Sequence, residues 1–255
     1  MQIKNKVVIV SGGASGLGEA SVRLFIESGA KVGIFDLDEA KGKALANEFA
    51  GKALFCKTDI TSTDSVQAAM NATLKAYGRV NIAINCAGIL VGAKILSRKG
   101  TFPMDKFNRV VQINLVGTMN VVCAAVQAMM KNEPDENNER GVIINTASAA
   151  AFSGQVGQAA YSASKAGVIG MTLPIAREIG DYGMRIVAVS PGIFETPMVQ
   201  GMPDNAKQRI IECIPFPKRF GKPVDFALLA QSIVENPYIN GTTIMLDGAA
   251  QLPAR

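Results

Sequence analysis

Lys6-Val7-Val8-Ile9-Val10-Ser11-Gly12-Gly13-Ala14-Ser15-Gly16-Leu17-Gly18 is the stretch that decides the fold of this 255-residue chain. Four consecutive β-branched residues, with no polar alternation, read as a strand buried on both faces. Glycines at 12, 16 and 18 permit a tight turn and a close approach of another group to the backbone. The amphipathic stretch that follows, near 16 to 29, would aim the free amides and positive end of a helix at that turn. A second apolar run, 31 to 36 (KVGIFD), then ends on the carboxylate of Asp36.

The alternation continues to the other end of the chain. Further strand-length apolar runs occur at 53 to 57, 81 to 85, 141 to 147, 184 to 190 and 242 to 246, and helical stretches near 38 to 50, 62 to 77, 104 to 131, 158 to 181 and 223 to 235. Strands without a polar face need helices above and below them. The expected class is therefore a doubly wound α/β fold, a seven-stranded parallel sheet flanked by helices on both faces. No Pro/Ser-rich linker or repeat divides residues 1–255, which read as one domain. Residues 131 to 141 (KNEPDENNERG) are charged and breaker-rich, and are expected as a solvated loop. Excursions at 92 to 103 and 191 to 222 leave the carboxyl ends of strands, where ligands of open α/β sheets bind. The second, with five prolines around a short apolar helical pattern, reads as a substrate loop.

A hydrophobic content of 48% against 18% charged residues excludes a disordered chain. The net charge of +5 permits an anionic ligand, but Lys and Arg are scattered in sequence and aromatics make up only 6%, so no nucleic-acid partner is expected. No apolar run approaches the length of a membrane span on this reading, and no membrane partner is expected. Cys56, Cys86, Cys123 and Cys213 are far apart in or beside apolar stretches, and are expected as reduced, buried thiols with no metal role. Met1 to Lys6 run directly into the first strand, so the expected location is cytoplasmic.

The chain contains no histidine, so proton chemistry falls to Tyr, Lys, Asp, Glu or Cys. Tyr161 and Lys165 lie four apart in a helical stretch, with Cβ atoms about 5–6 Å apart on one face. At that distance the ammonium is expected to lower the phenol's pKa and make it a base. At the other end of the site, Gly12, Ser15, Gly16, Leu17 and Gly18 would hold a pyrophosphate against the helix amides. Asp36, about 20 residues on, would accept the adenosine ribose hydroxyls and repel a 2′-phosphate. Ser15 and Leu37 supply no compensating charge, so the expected cofactor is NAD, with NADP disfavoured.

With these residues in hand the whole chain resembles the short-chain dehydrogenase/reductase family, whose domain is a Rossmann fold. Ser11 stands where the family usually has Thr at the head of its glycine pattern. Asp59 and Ile60 in Thr58-Asp59-Ile60 match its adenine-side element, and Asn85-Cys86-Ala87-Gly88 matches its Asn-x-Ala-Gly, which places Asn85, Ala87 and Gly88 beside the cofactor. Asn114, Ser148, Tyr161 and Lys165 fall at the catalytic tetrad, and Pro191, Gly192 and Thr196 at the nicotinamide-side turn. Within the family the resemblance narrows to the type II 3-hydroxyacyl-CoA dehydrogenases. It is carried by Asn132 through Ser148, Gly154 through Lys165, Gly170 through Arg177, Pro215-Phe216-Pro217, Glu235-Asn236-Pro237 and Leu246 through Ala249, with departures at Glu195 and at Met198 to Gly201.

The resemblance implies an NAD-dependent oxidoreductase that interconverts a secondary alcohol and a ketone, most simply 3-hydroxyacyl-CoA and 3-oxoacyl-CoA. Tyr161 would move the proton, Lys165 would also hold the nicotinamide ribose, Ser148 would orient the substrate oxygen, and Asn114 would hold a water leading from Lys165 to solvent. Gln158 would touch the substrate or cap a loop. Met198, Met202, Ile210, Ile211 and Phe216 would form an apolar lid, while Lys94, Arg98 and Lys99 would meet coenzyme A phosphates or remain solvated. A homotetramer is implied through helices 104 to 131 and 158 to 181, with Ala124, Ala125, Ala128 and Met129 as an apolar face unless the subunit buries them. Competing readings are a 3-oxoacyl-carrier-protein reductase, a steroid or secondary-alcohol dehydrogenase, and a non-catalytic NAD-binding scaffold. Taken singly, Tyr161 and Lys165 read equally as a surface pair, Ser148 as a strand-end cap and Asn114 as a satisfied core amide.

Overall fold

The computed structural model describes residues 1–98, 100–201 and 203–250. Elements alternate from the start: β1 (Val7–Ser11), α1 (Gly16–Glu27), β2 (Lys31–Asp36), α2 (Glu39–Glu48), β3 (Ala53–Lys57), α3 (Thr63–Tyr77) and β4 (Ile82–Asn85). A two-stranded hairpin, β5 (Leu96–Ser97) and β6 (Gly100–Thr101), follows inside the 92 to 103 excursion. Next come α4 (Met104–Val111), a π-turn (Gln112–Gly117), α5 (Thr118–Met129), β7 (Gly141–Thr146), the short α6 (Ala150–Ser153) and α7 (Ala159–Gly180). β8 (Met184–Pro191), α8 (Pro197–Gln200), α9 (Asp204–Glu212), α10 (Pro223–Glu235) and β9 (Thr243–Leu246) complete the chain.

The seven long strands pair in parallel in the order β3-β2-β1-β4-β7-β8-β9. The order reverses between β1 and β4, and this switch point opens a crevice at the carboxyl edge. One face of the sheet (Val8, Val10, Ile82, Ile84, Ile144) packs on Phe25 and Ile26 of α1 and on Phe226 and Ile233 of α10. The other (Val7, Ile9, Ala83, Ile143, Ile186) packs on Met70, Val121, Met129 and Ile175. Each large side chain buried this way contributes roughly 1.5–3 kcal/mol. α3 shows how the sequence ends its helices. Ser62 Oγ accepts from Ser65 N–H at 3.2 Å, and Gly78 at φ 80° closes the last turn in a conformation that disfavours other residues.

Several expectations need correction. The 131 to 141 segment is not merely solvated, because Asn132 and Glu139 are buried. Asn132 Nδ2 donates to the carbonyls of Val80 and Arg140, and Glu139 receives Arg185 at 2.7 Å, which satisfies polar groups at the amino edge of the sheet. The unbroken helical segment Met104–Met129, with a window of mean hydropathy 1.5, is long and apolar enough to cross a membrane. Its inner face packs in the core through Val110, Val121, Val122, Ala125 and Met129. Ala124, Ala125, Ala128 and Met129 therefore face their own subunit, and the outer face shows Val116, Met119, Cys123 and Met130. Cys123 is exposed on α5 and the other three cysteines are only partly covered: Cys56 lies on the edge strand β3, and Cys86 and Cys213 just beyond β4 and α9.

Candidate active site

The glycine turn after β1 is built by close contact. Gly12 has φ 68°, and a Cβ there would lie 2.6 Å from Ala87 N, while one on Gly18 would lie 2.1 Å from Gly12 O. The turn is thereby pressed onto Asn85-Cys86-Ala87 at the switch point. Ser15 is the N-cap of α1 and makes no side-chain capping bond, leaving the first-turn amides and the helix's positive end open to an anion. Asp36 Oδ2 accepts from Ala14 N–H at 2.9 Å and Oδ1 from Asp38 N–H at 3.0 Å, and each oxygen keeps a further lone pair. Leu37 is exposed beside it and carries no charge. This cradle, filled by any added Cβ and ending on a carboxylate without a basic neighbour at position 37, fits a dinucleotide with free ribose hydroxyls.

Asp59 at the end of β3 is exposed and spends Oδ1 on Thr61, leaving Oδ2 free. Ile60 turns its side chain into the core against Gly117, so only its backbone remains at the site. Asn85 is buried and engages both side-chain atoms, Oδ1 accepting from Ser11 Oγ at 3.0 Å and Nδ2 donating to Asn145 Oδ1 at 2.9 Å. Asn145 Nδ2, next in this row, and Ser190 Oγ, two residues beyond the Asn145 partner Ala188 on β8, have no hydrogen-bond partner among the described residues. The hydroxyl that Ser11 keeps in place of Thr thus holds β1 to β4.

On the substrate side, β7 ends at Thr146 and carries the chain to Ser148, while α7 presents Tyr161 and Lys165. The Ser148 hydroxyl sits beside the Tyr161 phenol, where it favours the ionised form. Lys165 is buried, its Nζ donating to Thr146 O at 2.7 Å and lying 5.8 Å from the Tyr161 ring centre. Gly88 leaves room there, since a Cβ on it would approach Asn114 Oδ1 at 3.1 Å and Lys165 Nζ at 3.5 Å. Pro191 and Gly192 end β8 beside Asp247, and Thr196 reaches across to the glycine turn, 3.3 Å from where a Gly16 Cβ would be.

The electrostatics differ from the sequence expectation. Burial pushes the Tyr161 phenol above its ordinary pKa, with the Ser148 hydroxyl pulling the other way. The physical reason is that desolvation penalises the charged phenolate. Burial also pushes Lys165 down to about 8, opposed by the neighbouring Cys86, and pushes the Cys86 thiol up to about 11. Tyr161 is accordingly a neutral phenol near pH 7, ready to donate.

Asn114 sits in the π-turn, accepting from Ile89 N–H at 2.8 Å and donating to Ile89 O and Ser164 Oγ. Its side-chain amide clamps residue 89 and, among the described residues, makes no direct hydrogen bond to Lys165. Gln158 caps the loop before α7, accepting from Gln155 N–H at 2.9 Å. Ile210 and Ile211 are half-buried, but Phe216 is 81% exposed and covers nothing in this subunit. Lys99, Met202 and the Met198 side chain lie outside the described residues. Sequence reading missed Thr146, Asn145 and Ser190, whose positions emerge only from the register of β4, β7 and β8; the sole local signal is the polar residue ending each apolar run.

A family model described as short chain dehydrogenase matches residues 6–207. The chain is 45% identical over 252 residues to 3-hydroxyacyl-CoA dehydrogenase type-2 of Homo sapiens, covering 98% of this chain and 97% of the relative. It is also 45% identical to the Drosophila melanogaster protein of the same name, over 98% and 99% of the two chains. The crystal structure of 3-hydroxyacyl-CoA dehydrogenase type-2 from Mycobacterium avium superposes with a TM-score of 0.94 at 40% identity, covering 98% and 97% of the chains. Strand order, glycine cradle and the Ser148, Tyr161 and Lys165 constellation agree with these likenesses, and the chain belongs to the short-chain dehydrogenase family of oxidoreductases.

Proposed function

We propose that this chain is an NAD-dependent 3-hydroxyacyl-CoA dehydrogenase. The observation that carries the chemistry is the convergence of the Ser148 hydroxyl, the Tyr161 phenol and the buried Lys165 ammonium beside a glycine cradle that ends on Asp36. The full-length likeness to enzymes named for 3-hydroxyacyl-CoA supports the substrate class.

Bound NAD supplies the hydride acceptor at its nicotinamide ring. Gly12, Ser15, Gly16, Leu17 and Gly18 would hold the pyrophosphate, Asp36 the adenosine ribose, Asp59 and the Ile60 backbone the adenine end, and Ala87, Gly88, Pro191, Gly192 and Thr196 the nicotinamide half. In ketone reduction the Tyr161 phenol would give its Oη proton to the substrate oxygen as the carbon gains hydride; in alcohol oxidation Tyr161 would first release that proton to solvent, and the resulting phenolate would take the substrate hydroxyl proton as the carbon loses hydride. Ser148 donates to the substrate oxygen and stabilises charge developing there. Lys165 supplies a fixed positive charge that favours the phenolate once a substrate shares the site. Lys94 and Arg98, both exposed on the excursion that carries the β5–β6 hairpin, face solvent where coenzyme A phosphates would meet them. The outer faces of α5 (Met119, Cys123) and α7 (Leu173) give apolar surfaces for pairing subunits into a homotetramer.

Asp36 disfavours the carrier-protein reductase reading, since biosynthetic reduction normally draws on a cofactor with a 2′-phosphate that this carboxylate repels. The test is a spectrophotometric panel of acetoacetyl-CoA, 3-hydroxybutyryl-CoA, free 3-hydroxybutyrate, a carrier-protein thioester and a hydroxysteroid, each with both cofactors. The CoA thioesters should lead in kcat/KM by about tenfold or more, with NAD preferred. A steroid or carrier-protein substrate ahead of them, or a preference for NADP, would contradict the proposal.

A further inference from the structure

At the edge of the sheet opposite the active site, the sequence's scattered cations come together. Lys31 N–H donates to Lys6 O, Val32 N–H to Lys52 O, and a Cβ on Gly29 would touch Lys4 Cγ at 3.3 Å. The Arg79 guanidinium reaches Asn5 O at 3.3 Å. These contacts gather Lys4, Lys6, Lys31, Lys52 and Arg79 around the amino ends of β1 to β4. None of the five is in an ion pair among the described residues. The parallel strands all begin here and bring the backbones of residues far apart in sequence together.

Two of these cations, Lys31 and Arg79, line a cleft of about 360 Å³ together with Asn5, Val7, Gly29 and Tyr77. Its lining contains no carboxylate. Asn5 holds a left-handed φ of 64°, uncommon for a non-glycine residue, which turns its backbone onto Gly29 and Arg79. Among the described residues the Asn5 carboxamide, the Lys31 ammonium and the Tyr77 hydroxyl make no hydrogen bond, and Arg79 uses one of its five donors. Lys31 Nζ lies 5.3 Å from the centre of the Tyr77 ring, which holds the ammonium at the cleft wall. The negative end of α3 points this way, but Lys75 in its last turn already complements that dipole, leaving Lys31 and Arg79 in excess.

We propose that this cleft binds a phosphate monoester carried on a small organic body, with Lys31 and Arg79 on the phosphoryl oxygens and Asn5 and Tyr77 on the body. Arg79 presents the planar fork that matches phosphate, and Lys31 adds a point charge. The volume lies within the range of small-molecule sites and is larger than a lone inorganic ion needs. The site is separate from the dinucleotide cradle, which occupies the carboxyl ends of the same strands.

Calorimetric titration of the whole protein, saturated with NAD so that the cradle is filled, tests this with AMP as the probe and adenosine and inorganic phosphate as further arms. AMP should bind, adenosine should not, and inorganic phosphate should bind more weakly than AMP. The exposed pair Lys31→Glu/Arg79→Glu should weaken AMP about tenfold or more, and Lys31→Gln/Arg79→Gln should weaken it less, both with unchanged Tm and unchanged NADH-forming activity. Adenosine binding as well as AMP, inorganic phosphate binding as well as AMP, AMP affinity indifferent to both variants, or no AMP uptake at millimolar concentration would each overturn the proposal.

Discussion

The buried charges at the two edges of this sheet are treated in opposite ways. At the amino edge, Glu139 accepts from Arg185 at 2.7 Å and from the Met1 ammonium at 2.9 Å. Arg185 spends its remaining donors on the carbonyls of Ile233, Val234, Asn236 and Ile239. Every group there is matched, and the cluster ties β7 and β8 to α10. At the carboxyl edge, Lys165 is equally buried but has one carbonyl, Asn145 Nδ2 and Ser190 Oγ have none, and the Tyr161 phenol is pushed upward by burial. Saturated charge pins structure, and undersaturated charge keeps bonding capacity for a ligand.

The sharpest contrast comes from removing one group at each edge. Tyr161→Phe should cut kcat by about 10²–10⁴-fold while leaving Tm nearly unchanged, as read by steady-state rates and calorimetry. Glu139→Gln should do the reverse, costing about 3–5 kcal/mol of unfolding free energy because it strands a buried Arg185, with kcat preserved in the folded fraction. Denaturant titration reads that loss, and an unchanged midpoint would show that the amino-edge cluster is not a structural lock.

Lys165→Met divides the two roles within one residue. Burial holds Lys165 near 8, below its unfolded value of about 10.4, so the charged form is disfavoured in the folded state at pH 7 by up to about 3 kcal/mol. The folded protein binds fewer protons than the unfolded chain between those values, so stability contributed by this group rises with pH across that window. Lys165→Met should therefore lose activity yet gain a few degrees in Tm at pH 7, and the gain should shrink as pH rises from about 8 to about 10.4. A variant less stable than the parent at pH 7 would mean that the Thr146 contact outweighs desolvation. The smallest effect is expected at the cradle, where Asp36→Asn keeps an acceptor for the amides but removes the charge. The NAD over NADP preference in kcat/KM should fall about tenfold.

The sequence carries this contrast unevenly. β1, its glycine turn and Asp36 are legible because apolar continuity, glycine spacing and a terminal carboxylate are all local signals, and the structure places them within a residue or two of expectation. Tyr161 and Lys165 are legible because one helix carries both. The row Ser11, Asn85 and Asn145 is hidden, since its last link joins residues 60 apart through strand register. Glu139 reads as a solvated loop charge because its partner Arg185 lies 46 residues further on. The upward shift of Tyr161 is equally invisible, because it depends on burial in the folded chain. The hairpin at Leu96 to Thr101 has too short a pattern to announce itself.

The most direct test measures NADH formation from 3-hydroxybutyryl-CoA and thermal unfolding side by side on the parent protein, Tyr161→Phe and Glu139→Gln. The account predicts that Tyr161→Phe loses the rate and keeps the melting temperature, and that Glu139→Gln loses the melting temperature and keeps the rate. Full turnover without the Tyr161 hydroxyl would contradict it.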